Sequence, residues 1–309
     1  MIKTIILVYC LLHFVKAFSY LLIIVKNFYR PEKFNSSNVS VSRSHFFKMV
    51  LPYIWLLFIV TLGTQLPIQF LNLNSNLNEV GFYAVGFKLM VPVSIAVGTA
   101  FKAIFPAFTR LYANNKSEFE NKLKLGFNLI ILSGTIIAII TSLTSIYWLP
   151  LVFGKEYSSA VIVFNLLIWF SVISILDSLL SNGLSSAYKE KVLAFIATID
   201  IVILLPLLYY ASSFGAWGLA LTKLITGVIF LGYHLYVFIR VLRVKIFNKE
   251  LLILLVFYFS AMGVCLLIEN GIYQLLSITI LLISLVSIKN SPLISTFNYV
   301  RQKIKFIRI

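Results

Sequence analysis

Charged residues, cysteines and the motifs of soluble enzymes are all scarce in this sequence. Charged residues make up 12% of the 309 positions and hydrophobic residues 60%, whereas a soluble domain has about 25% charged residues. The two cysteines, Cys10 and Cys265, both lie in apolar runs, which excludes a disulfide framework and a zinc-ligand spacing. No P-loop, HExxH, CxxC or nucleophile-elbow motif is present, so the sequence predicts neither an enzyme nor a bound cofactor or metal.

Long apolar runs make up most of the chain. A bilayer core about 30 Å thick needs roughly 20 apolar residues per helix, and the runs are continuous rather than alternating, which excludes a transmembrane barrel. The sequence therefore predicts an all-α polytopic membrane protein with about nine transmembrane helices. Their expected positions are 4–26, 48–71, 81–105, 125–149, 160–182, 192–212, 216–239, 251–269 and 272–288.

The net charge of +16 comes from basic residues in every second connection between these runs. The basic connections are 27–47, 106–124, 183–191, 240–250 and the tail 289–309, whereas the others carry Lys155 and a few acids. Basic loops beside membrane spans remain in the cytoplasm. We therefore expect the N-terminus outside, the C-terminus inside, and contact with anionic lipids rather than with nucleic acid.

Two of the basic connections are long enough to have a structure of their own. Residues 27–47 are rich in Ser and Asn and are typical of a flexible cytoplasmic linker. Residues 106–124 mix charged and apolar residues at three- and four-residue spacing, which predicts an amphipathic helix on the inner membrane surface.

Polar residues inside the spans are the candidates for function, because a charge at mid-bilayer costs at least about 2.5–3.5 kcal/mol. Such residues face a cavity, or else form an ion pair that holds helices together. Asp200 and Lys223 lie at depths about 8 Å apart on neighbouring helices, within reach of each other. Asp177 lies nearer the inner interface, and His13, His45 and His234 have no acidic or serine partner at a useful spacing. The candidates for the cavity are Lys16, Gln65, Gln69, Lys88, Asp200 and Lys223.

Five short motifs occur in a recognisable order along the chain. They are GFYAVGFKL from Gly81, FPAFTRL from Phe105, FGKEYSSA from Phe153, SAYKEK from Ser186 and FGAWGLALTK from Phe214. In order, spacing and membrane side they resemble the second half of Wzx-type oligosaccharide flippases, in the superfamily of multidrug, oligosaccharidyl-lipid and polysaccharide exporters. FPAFTRL is expected to form a turn at the inner end of its span.

The resemblance implies two six-helix lobes that enclose a cavity and work by alternating access. About five N-terminal helices of the family pattern have no counterpart in the chain. The implied organisation is 1–26, the last helix of a first lobe; 27–47, the linker; 48–239, a six-helix second lobe; 240–288, an accessory helix pair; and 289–309, a basic tail.

The implied function is translocation of lipid-linked oligosaccharide units across the bacterial inner membrane for surface polysaccharide or O-antigen synthesis. The implied partners are undecaprenyl-pyrophosphate-linked oligosaccharide, a polysaccharide polymerase and a first lobe on another chain. The resemblance also suggests a cation site at Asp200 and Thr222. The sequence departs from the family in having Gln65 and Gln69 where an acid is common, and Asp200 where Asn is common.

Three alternatives to this function remain open. A drug exporter of the same superfamily would share the fold, but lysines inside the membrane disfavour cationic cargo. A membrane polysaccharide polymerase would be expected to have a long outer loop with catalytic groups, and the outer loops here are short. A fragment that does not transport by itself would explain the missing helices.

The charge pattern makes a topology prediction. Reporter domains that are active only in the cytoplasm, fused after Lys245 or Arg110, should be active, and the same reporters fused after Ser75 or Lys155 should be inactive. Reporter activity normalised to protein level is the measurement. Equal activity at all four positions would contradict the predicted orientation.

Overall fold

A computed structural model of the chain describes residues 43–268 together with Ser19, 276–280 and 282–283, with side chains from Val50 onward. Apart from one 3₁₀ turn, Lys155–Ser159, its regular elements are α-helices, so the all-α prediction is confirmed for this part of the chain. The helices are α1 (Arg43–Asn74), α2 (Leu77–Asn114), α3 (Lys116–Phe153), α4 (Ala160–Ser186), α5 (Glu190–Ser212), α6 (Gly215–Leu242) and α7 (Lys249–Leu267).

Seven helical segments in the described ranges are long and apolar enough to cross a membrane. They coincide with the second to eighth predicted spans. The first predicted span, 4–26, and most of the ninth, 272–288, lie outside the described residues, as does the tail 289–309. The chain separates into two units, residues 1–49 and residues 50–309, and the bundle of packed helices belongs to the second unit.

The prediction of a separate surface helix at 106–124 was wrong. Residues up to Asn114 continue α2 and residues from Lys116 begin α3, and each of these helices is 38 residues long. Only Asn115 interrupts them, and its side chain accepts a hydrogen bond from the backbone N–H of Glu118. At 1.5 Å per residue each helix is about 57 Å long, so both extend well beyond a bilayer core.

Two smaller expectations also change. FPAFTRL does not form a turn, because Pro106 lies inside α2. Of the linker predicted at 27–47, residues 27–42 lie outside the described residues, and residues 43–47 belong to α1, which begins at Arg43. Helical hydrogen bonding extends readily through additional residues once a long helix has formed.

Helix α4 is the most buried of the spans and packs against α2, α3 and α6. Close packing depends on small residues at the crossings. A Cβ atom added to Gly134 of α3 would lie 2.9 Å from Val172 of α4, and one added to Gly183 of α4 would lie 2.7 Å from Phe238 of α6. Small residues allow helix backbones to approach closely where lipid provides no hydrophobic driving force.

Helix α5 is joined to α1 by side-chain hydrogen bonds along its length. Trp55 Nε1 donates to Thr198 Oγ1 at 2.8 Å, and Asn74 Nδ2 donates to Ser212 Oγ at 2.8 Å. Helix α7 is joined to α4 by Tyr258, whose hydroxyl donates to the backbone oxygen of Trp169 at 2.7 Å. These hydrogen bonds fix α5 against α1 and α4 against α7.

The first turn of α6 is anchored by a carboxylate from α2. Glu79 Oε2 accepts a hydrogen bond from the backbone N–H of Ala216 at 2.6 Å. Ala216 lies at the N-terminal end of α6, and this end of a helix attracts negative charge. Gly215 precedes it with a φ of 79°, and a Cβ atom there would lie 2.7 Å from Glu79 Oε2.

Gly215→Ala should lower thermal stability in detergent by about 1 kcal/mol or more, because the new Cβ is strained at positive φ and displaces the Glu79 carboxylate. The matched control is Gly232→Ala in the same helix, where no atom of the described residues lies within 4 Å of an added Cβ. That control should be neutral or stabilising, because alanine favours a helix more than glycine does. Equal melting temperatures for the two variants would contradict the role of Gly215.

Candidate functional site

A cavity of about 620 Å³ lies among α1, α2, α4, α5 and α6. Its lining is mainly apolar, with serines from α4 and with charged side chains at separate points. On α2 the lining side chains recur every three or four residues, so one stripe of the helix faces the cavity. The stripe consists of Phe87, Met90, Ser94, Val97, Phe101 and Lys102, among others.

Lys223 of α6 lines this cavity and is only 6% exposed. Its Nζ atom lies 3.5 Å from the backbone oxygen of Gly63. The rings of Phe87, Tyr83 and Phe170 surround it at 5.3, 5.8 and 6.0 Å from Nζ to the ring centre. No carboxylate of the described residues lies within ion-pair distance of Nζ. The ammonium group is therefore stabilised mainly by ring faces, a modest contribution of about 0.5–2 kcal/mol each.

His234, about three helical turns further along α6, lies between two carboxylates from other helices. Its Nδ1 atom lies 2.5 Å from Asp177 Oδ1 of α4, and its Nε2 atom lies 2.8 Å from Asp200 Oδ2 of α5. The Nε2 contact has ion-pair distance without the alignment of a hydrogen bond. These three side chains, which we call the His234 cluster, all line the cavity. They link α4, α5 and α6.

Comparison with known proteins assigns no family to this chain. No family model matches it. No curated protein and no solved structure matches it either. The seven long apolar helices make it a multi-pass membrane protein.

The structure brings only part of the predicted site together. Asp200 and Lys223 line the cavity. Gln65, Gln69 and Lys88 are exposed and do not line it, and neither does Thr222. Lys16 lies outside the described residues. The reason is helical geometry: each residue turns about 100° around the axis, so Gln65, Lys88 and Thr222 point away from the cavity although Thr64, Phe87 and Lys223 beside them line it.

Asp200 and Lys223, which the sequence places within reach of each other, do not form an ion pair. Among the described residues, Asp200 makes its ion pair with His234 instead. His234 has no acidic partner at a useful spacing in the sequence, and both of its partners in the structure come from helices distant in sequence. The cation site suggested at Asp200 and Thr222 stays a prediction, and no group of three His, Cys, Asp or Glu residues in the described ranges is arranged to hold a metal ion.

Depth in the membrane was the signal that could have revealed the His234 cluster. Asp177 lies nine residues before the end of α4, Asp200 ten residues after the start of α5, and His234 eight residues before the end of α6. All three helix ends adjoin basic connections, so the three side chains share a depth of about 12–15 Å. Lys102 was not identified from the sequence as a cavity residue. Its spacing of three or four residues from other lining positions of α2 could have indicated it.

Lys223→Met should raise the melting temperature of the purified protein, because it replaces a buried ammonium that has no ionic partner among the described residues with an apolar chain of similar length. The expected gain is about 0.5–2 kcal/mol, typical when a residue kept for function is replaced. Lys189→Met, in the exposed connection between α4 and α5, is the control and should change little. A loss of stability in Lys223→Met would indicate that Lys223 has a structural role.

Proposed function

We propose that this chain forms the substrate-binding lobe of a flippase that moves lipid-linked oligosaccharide units across the bacterial inner membrane. Two independent features support the proposal: the ordered motifs from Gly81 to Lys223, and a cavity of ligand size in a multi-pass helical bundle. Ligand sites typically measure about 300–1,000 Å³. The observation that carries most weight is the combination of cationic and hydroxyl-bearing side chains in that cavity.

The distribution of charge suits an amphipathic anionic substrate. Lys102 and Lys223 lie at different points of the cavity and would attract the pyrophosphate of an undecaprenyl-pyrophosphate carrier. Ser171, Ser174 and Asn182 present hydroxyl and amide groups that suit sugar hydroxyls. Apolar side chains between them would contact the faces of sugar rings and the lipid.

Alternating access requires two bodies that move around the site. We propose that a first lobe, on the same or another polypeptide, provides the opposite side of the cavity, as the resemblance implies. A surface polysaccharide polymerase would then receive the translocated unit. The basic connections on the cytoplasmic side would hold the protein against anionic lipids.

A drug exporter of the same superfamily is the second candidate. Two carboxylates on the cavity, Asp177 and Asp200, are the feature that favours it, because a cationic drug needs negative charge. Both carboxylates already face His234, however, and two lysines line the same cavity. Increased resistance to cationic drugs on expression would support this candidate over the first.

Complementation tests the flippase proposal. The chain is expressed in a bacterial strain that lacks its repeat-unit flippase, once alone and once together with the first lobe of a related flippase. Surface polysaccharide, measured by gel and by antibody, should be restored in at least one arm. Absence of polymer in both arms, with the protein present in the membrane, would contradict the proposal.

Matched lysines on α2 test the site within the same assay. Lys102→Ala removes a cavity cation and should lower polymer output by about tenfold or more, as expected for loss of a charge-assisted contact of about 1.5–3 kcal/mol. Lys88→Ala, on the same helix but away from the cavity, should retain output close to that of the unaltered chain. Equal output from the two variants would contradict the cavity assignment.

A further inference from the structure

We infer that the His234 cluster is a proton-binding site that holds three helices together. Relative to a neutral histidine beside two ionised aspartates, the cluster binds one additional proton. This proton resides on the imidazole ring, which is then an imidazolium. Its loss would release α5 from α6. The inference concerns the chemistry of the cluster and does not depend on what the protein transports.

The proton count is set by the two contacts of the ring. A neutral imidazole has one N–H donor and one nitrogen lone pair. In the structure both ring nitrogens lie against carboxylate oxygens, Nδ1 at 2.5 Å from Asp177 and Nε2 at 2.8 Å from Asp200. A lone pair facing an ionised carboxylate at such a distance is repulsive. Both contacts are attractive together only when the cluster holds one further proton, between a ring nitrogen and the carboxylate that faces it. Because imidazole is a stronger base than a carboxylate, we assign this proton to the ring.

No other cation of the described residues takes this role. The ion pairs of Asp177 and Asp200 within the described ranges are both with His234. Lys102 of α2 and Lys223 of α6 line the same cavity without reaching either carboxylate. On α6 itself the neighbours of the imidazole are the rings of Phe230, at 6.3 Å and nearly parallel, and Tyr233, at 5.7 Å.

The charge of the cluster then depends on one exchangeable proton. With the imidazolium present the three groups sum to one negative charge, and without it they sum to two. The interior of a membrane protein screens such repulsion poorly. Asp200 is the side that separates, because its contact with Nε2 is the less well aligned and its Oδ1 atom has no hydrogen-bond partner in the part of the chain that the structure describes.

Separation at Asp200 would widen the cavity along α5. Asp200 and Leu204 of α5 both line it. The contact of α5 with α1 nearby, between Trp55 and Thr198, joins uncharged groups and does not respond to a proton. Proton occupancy therefore acts on the α5–α6 contact specifically.

Nitrogen NMR of the imidazole tests the proton count directly. The chain carries three histidines, so His13→Gln with His45→Gln leaves a single ¹⁵N-labelled histidine, His234, with the cluster intact. At neutral pH in detergent both ring nitrogens should give the signals of protonated nitrogen. One unprotonated ring nitrogen in the folded protein would overturn the inference.

Asp200→Asn in the same background is the informative variant. An asparagine amide can donate to Nε2, so the contact then forms with a neutral imidazole. Nε2 should lose its proton while Nδ1 keeps its own towards Asp177. Two protonated ring nitrogens in this variant would contradict the assignment of the extra proton to the Asp200 contact.

The pH dependence of melting tests the effect on the helices. Above about pH 6.5 the unfolded chain has lost its histidine proton. If the two carboxylates hold the proton on His234 in the folded chain, the folded state there binds one proton more than the unfolded state. The melting temperature of the unaltered chain should therefore fall by about 2–4 °C per pH unit above about pH 6.5, until the folded state also loses the proton.

Two variants of α5 separate this effect from a general loss of stability. Asp200→Asn should lose the pH dependence of the melting temperature. Thr198→Val is also on α5 and removes the hydrogen bond with Trp55 of α1. It should lower the melting temperature at every pH without changing the slope of melting temperature against pH. An unchanged slope in Asp200→Asn would refute the proton-dependent contact.

Discussion

The high cost of an isolated charge in a low-dielectric interior constrains this structure more than any other effect. Charges on the membrane-spanning helices need a partner, a cavity or a polarisable surface. Asp177 and Asp200 share one imidazole, Lys223 lies among aromatic rings, and Glu79 accepts from the first turn of α6. All of these solutions involve α6, which therefore carries the electrostatic contacts around the cavity.

Neighbouring helices of the bundle are held by different kinds of contact. Helix α4 supplies the buried apolar core, and glycines at its crossings allow α3 and α6 to approach. Helix α5 is less buried than α4, and polar contacts add to its apolar packing, with α1 through Trp55 and Asn74 and with α6 through Asp200. The contact through Asp200 joins ionisable groups and lies on the cavity.

The spans were predictable from the sequence because they depend on composition alone. Runs of about 20 apolar residues cross a bilayer whatever their neighbours are, and seven of the predicted runs are helices in the structure. The helix ends were less predictable at 106–124, since charged residues such as Lys116 and Glu118 continue a helix as readily as they end one. Only Asn115, an N-terminal capping residue, marks the boundary there.

The sequence by itself determined the membrane class, the approximate spans and the presence of unusual charges within them. Two of its site candidates, Asp200 and Lys223, lie on the cavity, whereas Gln65, Gln69, Lys88 and Thr222 do not. Depth can be counted along a chain at 1.5 Å per residue, but the direction in which a side chain points depends on how each helix is rotated against its neighbours. That rotation is fixed by packing between helices, so only the tertiary structure decided that Asp200 meets His234 rather than Lys223.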